Sequence, residues 1–459
     1  MRARSETGAS SRVLPFSRSN SRFRRKRRQP RPCESDIPGI AAEVLRETSR
    51  RSKPPGSSRL SRAPTCRRFV AALFRLATQI AAACRSGIEG GKPLSRRPFV
   101  LHFVCSSLGG AAHHLSQLIE QPTFRDYRIG VIMPEDGDAR VVRDIVGTGA
   151  ELITLGSRRQ LSWADTGRLP GLLKRFAPDV FHLHGLRAST LGRLAVLAVS
   201  NRPKIVYTVH GFHVLYYPPL RRRAALILER SLARLTDRFI CVSEADSRAL
   251  VACRVTNPSR VTTILNGIDL KPTETNVAEE FRLVGKKVIT TVCRLHPQKD
   301  LDTLIEAFSL VSDRHPEAVL LLVGDGPLRS SLEANVTARG LDGKVIFTGT
   351  RADVEAFLRV TDVFCLSSRW EGTALVLIEA MAARLPVVAS DVEGIREVVI
   401  NGETGILTSP RDPTSLADAL SRCLSDPVLS ERLAAAGRDR YTKIFTAARM
   451  AAETEAVYR

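Results

Sequence analysis

Two glutamates eight positions apart carry the strongest chemical signal in this sequence. Glu371 ends a loop after an apolar segment, and Glu379 lies in the apolar helix predicted to follow. A carboxylate among apolar residues costs free energy unless it is hydrogen-bonded, so we expect Glu379 to have a partner, such as the vicinal hydroxyls of a ribose. A structural pair that caps the helix or forms salt bridges is the alternative. The predicted helix start offers four backbone amides to a phosphate, those of Gly372, Thr373, Ala374 and Leu375.

Two cations follow a second apolar segment. Arg294 and Lys299 lie in a loop that contains Pro297. A guanidinium binds two oxygens at once and an ammonium adds a point charge, so this pair suits a diphosphate. A solvated basic loop is the alternative, and the position directly after a predicted strand favours phosphate binding.

Gly109 and Gly110 form a third candidate at a predicted strand-to-helix turn. Glycine lets the backbone approach a phosphate closely, and the helix start offers unpaired N–H groups. The alternative is that glycine merely fits the turn. These two glycines alone do not decide between phosphate binding and a structural role.

Histidines and aspartates suggest metal sites that we do not assign. His182 and His184 share one face of a predicted strand, and other histidines are expected at neighbouring strand ends, namely His113, His114, His210 and His213. Spacing places no acidic ligand beside them, so packing is the favoured interpretation. Asp136 and Asp138 follow Pro134 in a turn-forming context and are interpreted as a turn. We therefore predict no metal site.

The elements that position these motifs alternate between short β-branched segments and segments with helical periodicity. This alternation predicts parallel strands with right-handed crossovers. It breaks at a polar stretch and then restarts, which indicates two doubly wound, Rossmann-like α/β domains facing each other across a cleft, with a hinge near 268–284. We predict domains at 98–270 and 271–459. The thirteen predicted strands are 99–105, 127–133, 151–155, 179–183, 204–209, 238–242, 261–265, 287–293, 318–323, 344–347, 363–366, 386–389 and 405–407.

The first 97 residues differ from the rest of the 459-residue chain. They hold 24 of its 69 Lys and Arg but 6 of its 47 Asp and Glu, so most of the net charge of +22 belongs to this leader. We predict that residues 1–97 are a basic, low-complexity and mostly disordered segment. It could bind nucleic acid, direct targeting, or be a mis-assigned start without a role. Aromatic residues typical of single-strand binding are nearly absent, so nucleic acid is the less favoured partner.

Cysteine spacing and hydropathy indicate the compartment. The nine cysteines include no Cys-x-x-Cys pair, and several lie in apolar segments as small core residues. No uncharged apolar run reaches the roughly 18 residues needed to cross a bilayer. We expect a cytoplasmic protein, with peripheral contact at the inner face of the membrane as an option.

Together these motifs resemble the retaining glycosyltransferases of family 4, which have the GT-B fold. The resemblance runs from Phe99 to the C-terminus and rests on the Glu371 and Glu379 pair and the Arg294 and Lys299 loop. The segments 207–213, 228–230 and 241–244 are similar to members that build exopolysaccharide or capsule, and 266–269 matches the end of the first domain in the family.

The resemblance implies a role for each site residue. Glu379 would hold the nucleotide ribose, and Glu371 the hydroxyls of the donor sugar. Arg294 and Lys299 would stabilise the departing nucleoside diphosphate. His210 would lie beside the donor sugar, and Gly109 and Gly110 would line the same cleft.

The resemblance also implies the reaction and its substrates. A sugar would pass from a nucleoside-diphosphate sugar, with a UDP-sugar favoured, to a glycan or polyprenyl-diphosphate-linked acceptor in surface polysaccharide synthesis, with no cofactor required. Asp300 departs from the usual glycine after the lysine, and Thr373 with Ala374 departs from a bulky residue followed by glycine or proline. A nucleotide-sugar 2-epimerase of the same fold, or a nucleic-acid-binding protein acting through its leader, is the alternative.

Overall fold

The structure of this protein is a computed structural model. It describes residues 97–106, 110–135, 139–156, 161 and 165–459. They form two parallel sheets, each covered by helices. The leader up to residue 96, Gly109 and the Asp136–Asp138 turn lie outside the described residues. The predictions about them are therefore untested.

The described residues contain thirteen strands, and all of these were predicted, with ends that agree to within two residues. The first sheet contains seven strands: β1 (Phe99–Val104), β2 (Arg128–Pro134), β3 (Glu151–Leu155), β4 (Val180–His184), β5 (Lys204–Val209), β6 (Arg238–Cys241) and β7 (Val261–Thr263). The second contains six: β8 (Lys287–Val292), β9 (Ala318–Val323), β10 (Val345–Gly349), β11 (Val363–Leu366), β12 (Val387–Ser390) and β13 (Ile406–Thr408). The prediction of two Rossmann-like sheets is confirmed.

The helices lie between these strands and after the last one. Those associated with the first sheet are α1 (Gly110–Ile119), α2 (Ala139–Gly147), α3 (Leu169–Phe176), α4 (Gly185–Val196), α5 (Pro219–Leu232) and α6 (Glu244–Ala252). The later ones are α7 (Val277–Glu280), α8 (Leu301–Arg314), α9 (Arg329–Ala338), α10 (Val354–Arg359), α11 (Leu375–Ala382), α12 (Glu393–Arg396), α13 (Pro413–Ser425), α14 (Pro427–Ile444) and α15 (Ala447–Tyr458).

Strand order places a switch point in each sheet. The first sheet runs β3-β2-β1-β4-β5-β6-β7 and the second β10-β9-β8-β11-β12-β13. The direction of winding reverses between β1 and β4, and again between β8 and β11. Ligands of open α/β sheets bind beyond the carboxyl ends of strands at such points. The glycine turn follows β1, the Arg294 loop follows β8, and the Glu371 loop follows β11.

The chain passes from one half to the other twice, near Ile268 and near Phe445, and these two segments lie side by side. The backbone N–H of Ile268 donates to the carbonyl of Phe445 at 3.0 Å, and the Tyr441 hydroxyl donates to the carbonyl of Ile268 at 3.0 Å. Helix α15 then returns to the first sheet, where Met450 and Tyr458 join its core. The sequence did not predict this return. The predicted domain limits at 270 and 271 stay predictions.

Hydropathy along the described helices bears on membrane contact. Among the described residues, no helix combines the length and the apolar character needed to cross a bilayer. Of the described cysteines, Cys105, Cys241, Cys365 and Cys423 are buried, as expected for small core residues.

Candidate active site

Lys299 and Glu371 form an ion pair at the carboxyl ends of β8 and β11. The Lys299 ammonium contacts Glu371 Oε1, and Ser368 Oγ donates to the same oxygen at 2.5 Å. Gln298 Nε2 reaches Glu371 Oε2 at 3.4 Å. The glutamate side chain is only 7% exposed, so these donors compensate a largely desolvated carboxylate. The structure thus brings together two of the predicted site residues.

Arg294 lies at the same strand end but is placed differently. Its side chain is exposed and makes no hydrogen bond or ion pair with any residue that the structure describes. Helix α11 begins at Leu375, and its N-cap residue Ala374 provides no side-chain bond to the first amides. Gly372 and Thr373 lie in the loop before the helix rather than in its first turn. An uncommitted guanidinium and uncapped amides are groups that an anion can use.

Asp300 shows why its position favours glycine in similar sequences. Its φ is +49°, in the left-handed region, where aspartate is tolerated better than most side chains. The buried carboxylate accepts hydrogen bonds from Arg369 Nη2 at 2.6 Å and from Thr303 Oγ1 at 3.0 Å. This departure from the family pattern therefore fits the turn.

Helix α1 links the first half of the chain to Glu379. His113 Nε2 lies 3.5 Å from Glu379 Oε1, so the partner expected for this glutamate is a histidine from the other half. A Cβ built on Gly110 would lie 3.7 Å from a methyl group of Leu375, which places α1 directly against the start of α11. The expectation that His113 and His114 lie at strand ends is wrong, because both belong to α1.

Five histidines cluster in the first half, one of them in α1 and the others in or directly after the strands. His102 Nδ1 lies 3.0 Å from His184 Nε2, and His184 Nδ1 lies 3.4 Å from His210 Nε2. We call this chain of rings, with His114 and His182 beside it, the histidine ladder. The ring centroids of His114 and His210 are 4.8 Å apart. The ladder thus reaches from the sheet interior to His210, directly after β5.

The ladder is neutral near pH 7. Burial, with a smaller contribution from His114, lowers the pKa of His102 to about 3. Burial also lowers the pKa of His114 to about 4, although its hydrogen bond with Asn266 acts in the opposite direction. Burial lowers the pKa values of His182, His184 and His210 well below the ordinary range, and neighbouring histidines add to the effect.

Two triads within the ladder have nitrogen atoms close enough for a metal ion. Their ligand atoms lie within 4.8 Å of one another in His102, His182 and His184, and in His114, His184 and His210. Most of these nitrogens already have partners: His182, for instance, contacts the Tyr458 hydroxyl at 2.5 Å and Thr208 Oγ1 at 2.6 Å. The prediction of no metal site stays a prediction.

Two family models match nearly all of the described chain. Residues 108–272 match the one described as Glycosyltransferase Family 4, and residues 273–440 match Glycosyl transferases group 1. A phosphatidyl-myo-inositol mannosyltransferase of Mycobacterium leprae is 32% identical over 351 residues, which are 72% of this chain and 88% of the relative. The chain belongs to glycosyltransferase family 4.

Another relative and a solved structure extend this assignment. An Escherichia coli enzyme named UDP-Gal:alpha-D-GlcNAc-diphosphoundecaprenol alpha-1,3-galactosyltransferase is 32% identical over 272 residues, 56% of this chain and 70% of that enzyme. The crystal structure of Anabaena HepE with UDP and glucose has a TM-score of 0.68 at 22% identity, and covers 78% of this chain and 98% of that one. The fold of this family 4 glycosyltransferase is therefore GT-B, as the sequence predicted.

The structure of this glycosyltransferase also reveals cleft residues that sequence reasoning missed. A Cβ on Gly394 would lie 1.7 Å from the carbonyl oxygen of Gly372, so only glycine lets α12 approach the Glu371 loop. Thr373 was already a candidate from the sequence, but its bond across the halves was not predicted: Thr373 Oγ1 donates to the carbonyl of Val242 at 3.0 Å. The carboxylate of Glu397 accepts from the backbone N–H groups of Glu244 and Ala245, each at 3.0 Å. No sequence signal marks these contacts, since they depend on how the halves meet.

Proposed function

We propose that this protein is a retaining glycosyltransferase that takes a sugar from a nucleoside-diphosphate sugar, preferably a UDP-sugar. The acceptor is a glycan or a polyprenyl-diphosphate-linked sugar used in surface polysaccharide synthesis. The single observation that carries the proposal is the placement of Arg294, Lys299 and the uncapped start of α11 around one switch point of the second sheet.

Charge placement supports donor binding in the second half. Negative charge develops on the diphosphate as the glycosidic bond breaks, and fixed cations and amides stabilise it. Lys299 has three N–H donors, so it can keep its contact with Glu371 while it also binds a phosphate oxygen. Arg294 has no competing partner among the described residues and can bind a second oxygen.

The two glutamates suit the two ends of the donor. Glu371 is held by Lys299, Ser368 and Gln298, which fixes an acceptor for sugar hydroxyls beside the phosphate cations. Glu379 lies four residues after the start of α11, and its carboxylate is 3.5 Å from His113 Nε2, the one ionisable side chain it contacts among the described residues. A ribose diol can replace this long contact with two shorter hydrogen bonds.

His210 is proposed to contact the donor sugar as a neutral group. Its lowered pKa means that the ring offers a hydrogen bond and not a positive charge. The sequence reveals no protein nucleophile, so we propose that attack and departure occur on the same face of the sugar, which retains the anomeric configuration. The ladder fixes His210 through His184.

The domains have separate roles in this proposal. Residues 98–270 receive the acceptor and residues 271–459 bind the donor. The relatives' names support the acceptor class: one refers to a diphosphoundecaprenol-linked sugar and another to phosphatidyl-myo-inositol. HepE was crystallised with UDP and with UDP-glucose, which supports the choice of donor base.

The test is a thermal-shift panel of UDP-, GDP- and ADP-sugars on the full chain. A ligand that binds only the folded state raises the melting temperature by mass action. We expect one nucleotide class to stabilise the wild type and Glu403→Ala, in which an exposed glutamate is removed, but not Glu379→Ala. The stabilising donor is then used for transfer, and the anomeric configuration of the product is determined by NMR.

Four outcomes contradict the proposal in whole or in part. If no nucleotide sugar raises the melting temperature, the proposed donor class is wrong. If a nucleotide sugar still raises the melting temperature of Glu379→Ala, Glu379 does not bind the ribose. An inverted product with an active enzyme contradicts only the retaining mechanism. An epimerised free nucleotide sugar would instead indicate the epimerase alternative.

A further inference from the structure

We propose that the outer face of helix α5 docks on an anionic lipid surface. Its large apolar side chains point to solvent: Leu220 is 86% exposed, Ile227 55% and Leu228 45%. These positions, with exposed Ala224, recur at the spacing of one helical face. Tyr216, just before the helix, is 75% exposed. We call these five residues the apolar stripe.

Arginines flank the apolar stripe on both sides. Arg221, Arg222, Arg223 and Arg230 are exposed within α5, and Arg234 is exposed in the turn that follows. The one acid within α5, all of whose residues are described, is Glu229, and it is buried. The outer face therefore carries only positive charge.

The inner face of α5 is firmly held, so the outward direction of the stripe is a property of the fold. Glu229 accepts hydrogen bonds from Arg193 Nη2 of α4 at 2.8 and 2.9 Å, and both side chains are almost fully buried. The Arg193 guanidinium also lies over the Tyr207 ring, 5.1 Å from its centroid. The helix cannot turn its apolar stripe inward without breaking this buried pair.

This combination fits a lipid surface better than a protein partner. An interfacial helix has an apolar strip that enters the acyl boundary and basic residues that contact anionic headgroups. Leu220 lies about two helical turns before the adjacent pair Ile227 and Leu228, and exposed arginines stand beside this narrow apolar surface. Charge complementarity therefore selects an anionic bilayer, and its apolar interior accepts the stripe.

Helix α5 follows His210 closely along the chain. The chain leaves His210, passes through the short turn His213–Tyr216 and enters α5 three residues later. Helix α5 thus begins nine positions after His210. The inference does not depend on the proposed function, because lipid binding is measured without any sugar nucleotide.

Hydrogen–deuterium exchange on the full chain provides a test that resolves the site. The chain is mixed with vesicles of phosphatidylcholine alone or of phosphatidylcholine with phosphatidylglycerol. We expect slower exchange in peptides that cover residues 216–234 with the anionic vesicles only. The basic leader is present in every sample, and peptides report on it separately.

Matched variants separate the apolar stripe from general surface effects. Leu220→Glu with Ile227→Glu should raise the lipid concentration needed for half-protection at least about tenfold. Val284→Glu with Val428→Glu replaces two residues elsewhere on the surface, which are 86% and 80% exposed. This control should not change the lipid concentration needed for half-protection. Changing Arg221, Arg222 and Arg223 to Gln should weaken protection about a hundredfold, whereas Arg282→Gln with Lys286→Gln should leave it unaltered. Equal melting temperatures show that each variant folds.

Three results overturn the inference. Protection confined to residues 1–96 assigns lipid binding to the leader. Equal protection of residues 216–234 in Leu220→Glu with Ile227→Glu and in the control Val284→Glu with Val428→Glu would show that the apolar stripe does not contribute to lipid binding. Protection of residues 216–234 without vesicles, rising with protein concentration, indicates contact with a second copy of the chain.

Discussion

The two halves of this glycosyltransferase place different chemistry at equivalent points of similar sheets. In the first half the histidine ladder, which burial keeps neutral, runs from within the sheet to His210 at the end of β5. Beyond the second sheet lie the Lys299–Glu371 pair, the Asp300–Arg369 pair and the exposed Arg294. One fold thus supports a neutral, largely buried cluster of hydrogen-bonded histidines in one half and a group of charged side chains in the other.

This difference fits the demands of glycosyl transfer. In the proposed reaction the leaving diphosphate gains negative charge, and the site cations that can stabilise it, Arg294 and Lys299, lie in one half. In the same proposal the other half positions neutral hydroxyl groups, where additional cations would compete for the diphosphate. Changes to charge in the second half should therefore affect catalysis, and changes to the ladder should affect stability.

The largest expected effect is on catalysis in the second half. Lys299→Ala should lower kcat by about a thousandfold, since removal of one preorganised donor to a developing anion has an effect of that size. Lys443→Ala, which removes an exposed lysine paired with Asp439, is the control and should keep full activity. Steady-state kinetics with the donor found above gives both values. A loss below tenfold for Lys299→Ala would separate this lysine from the leaving group.

Acidification should lower the stability of the first half of the chain. The unfolded chain takes up protons on its histidines below about pH 6.5, and the folded ladder does not, so the unfolded state gains stability as the pH falls. His102 and His114, with pKa values of about 3 and 4, stay neutral at pH 5. Together they should lower the free energy of unfolding by about 3 kcal/mol between pH 6.5 and pH 5. Urea unfolding at the two pH values measures this, and a flat profile would mean that the ladder is charged or solvated.

His184→Phe should lower the stability of the same half by a smaller amount. The ring keeps its shape but loses both nitrogens, which leaves His102 Nδ1 and His210 Nε2 without these partners. Each buried unpaired group costs about 1–3 kcal/mol, so unfolding should become easier by at least about 2 kcal/mol. His213→Phe, at an exposed position, serves as the comparison. If the two variants unfold alike, the ladder contributes no specific stability.

The smallest expected effect concerns the contact between the halves. Thr373→Val removes the hydroxyl that donates to Val242 and should lower kcat/KM about fivefold, the value of one ordinary hydrogen bond. Thr348→Val removes a hydroxyl that bonds within the second half and should leave kcat/KM unchanged. An equal effect of both substitutions would show that the cross-cleft bond has no particular role.

Much of the fold could be predicted from the sequence because strand identity is a local property. The β-branched segment Lys287–Val292 and the turns that flank it are sufficient to define β8. Strand order is not local: the helical crossovers allow several orders with the same sequence pattern. For that reason the sequence did not predict that β1 lies beside β4, or that His102 pairs in register with His182.

The site shows the same limit. Lys299 and Glu371 could both be assigned to strand ends, but their direct contact depends on β8 and β11 being neighbours. The histidine partner of Glu379 comes from the other half of the chain, 266 positions away, so no spacing rule could identify it. Asp300 was recognised as unusual, and only its positive φ explains why it is accommodated.

Calorimetric titration of UDP into the full chain, with EDTA present, tests most directly the claim that cations of the second half hold the nucleoside diphosphate without a metal ion. We predict that the wild type binds UDP and that Arg294→Ala with Lys299→Ala weakens binding by at least about a hundredfold, since each charge-assisted contact contributes about 1.5–3 kcal/mol. Arg282→Ala with Lys286→Ala removes the same charge nearby and should bind as the wild type does. Equal affinity of the two double variants, or binding that disappears with EDTA alone, would contradict the account.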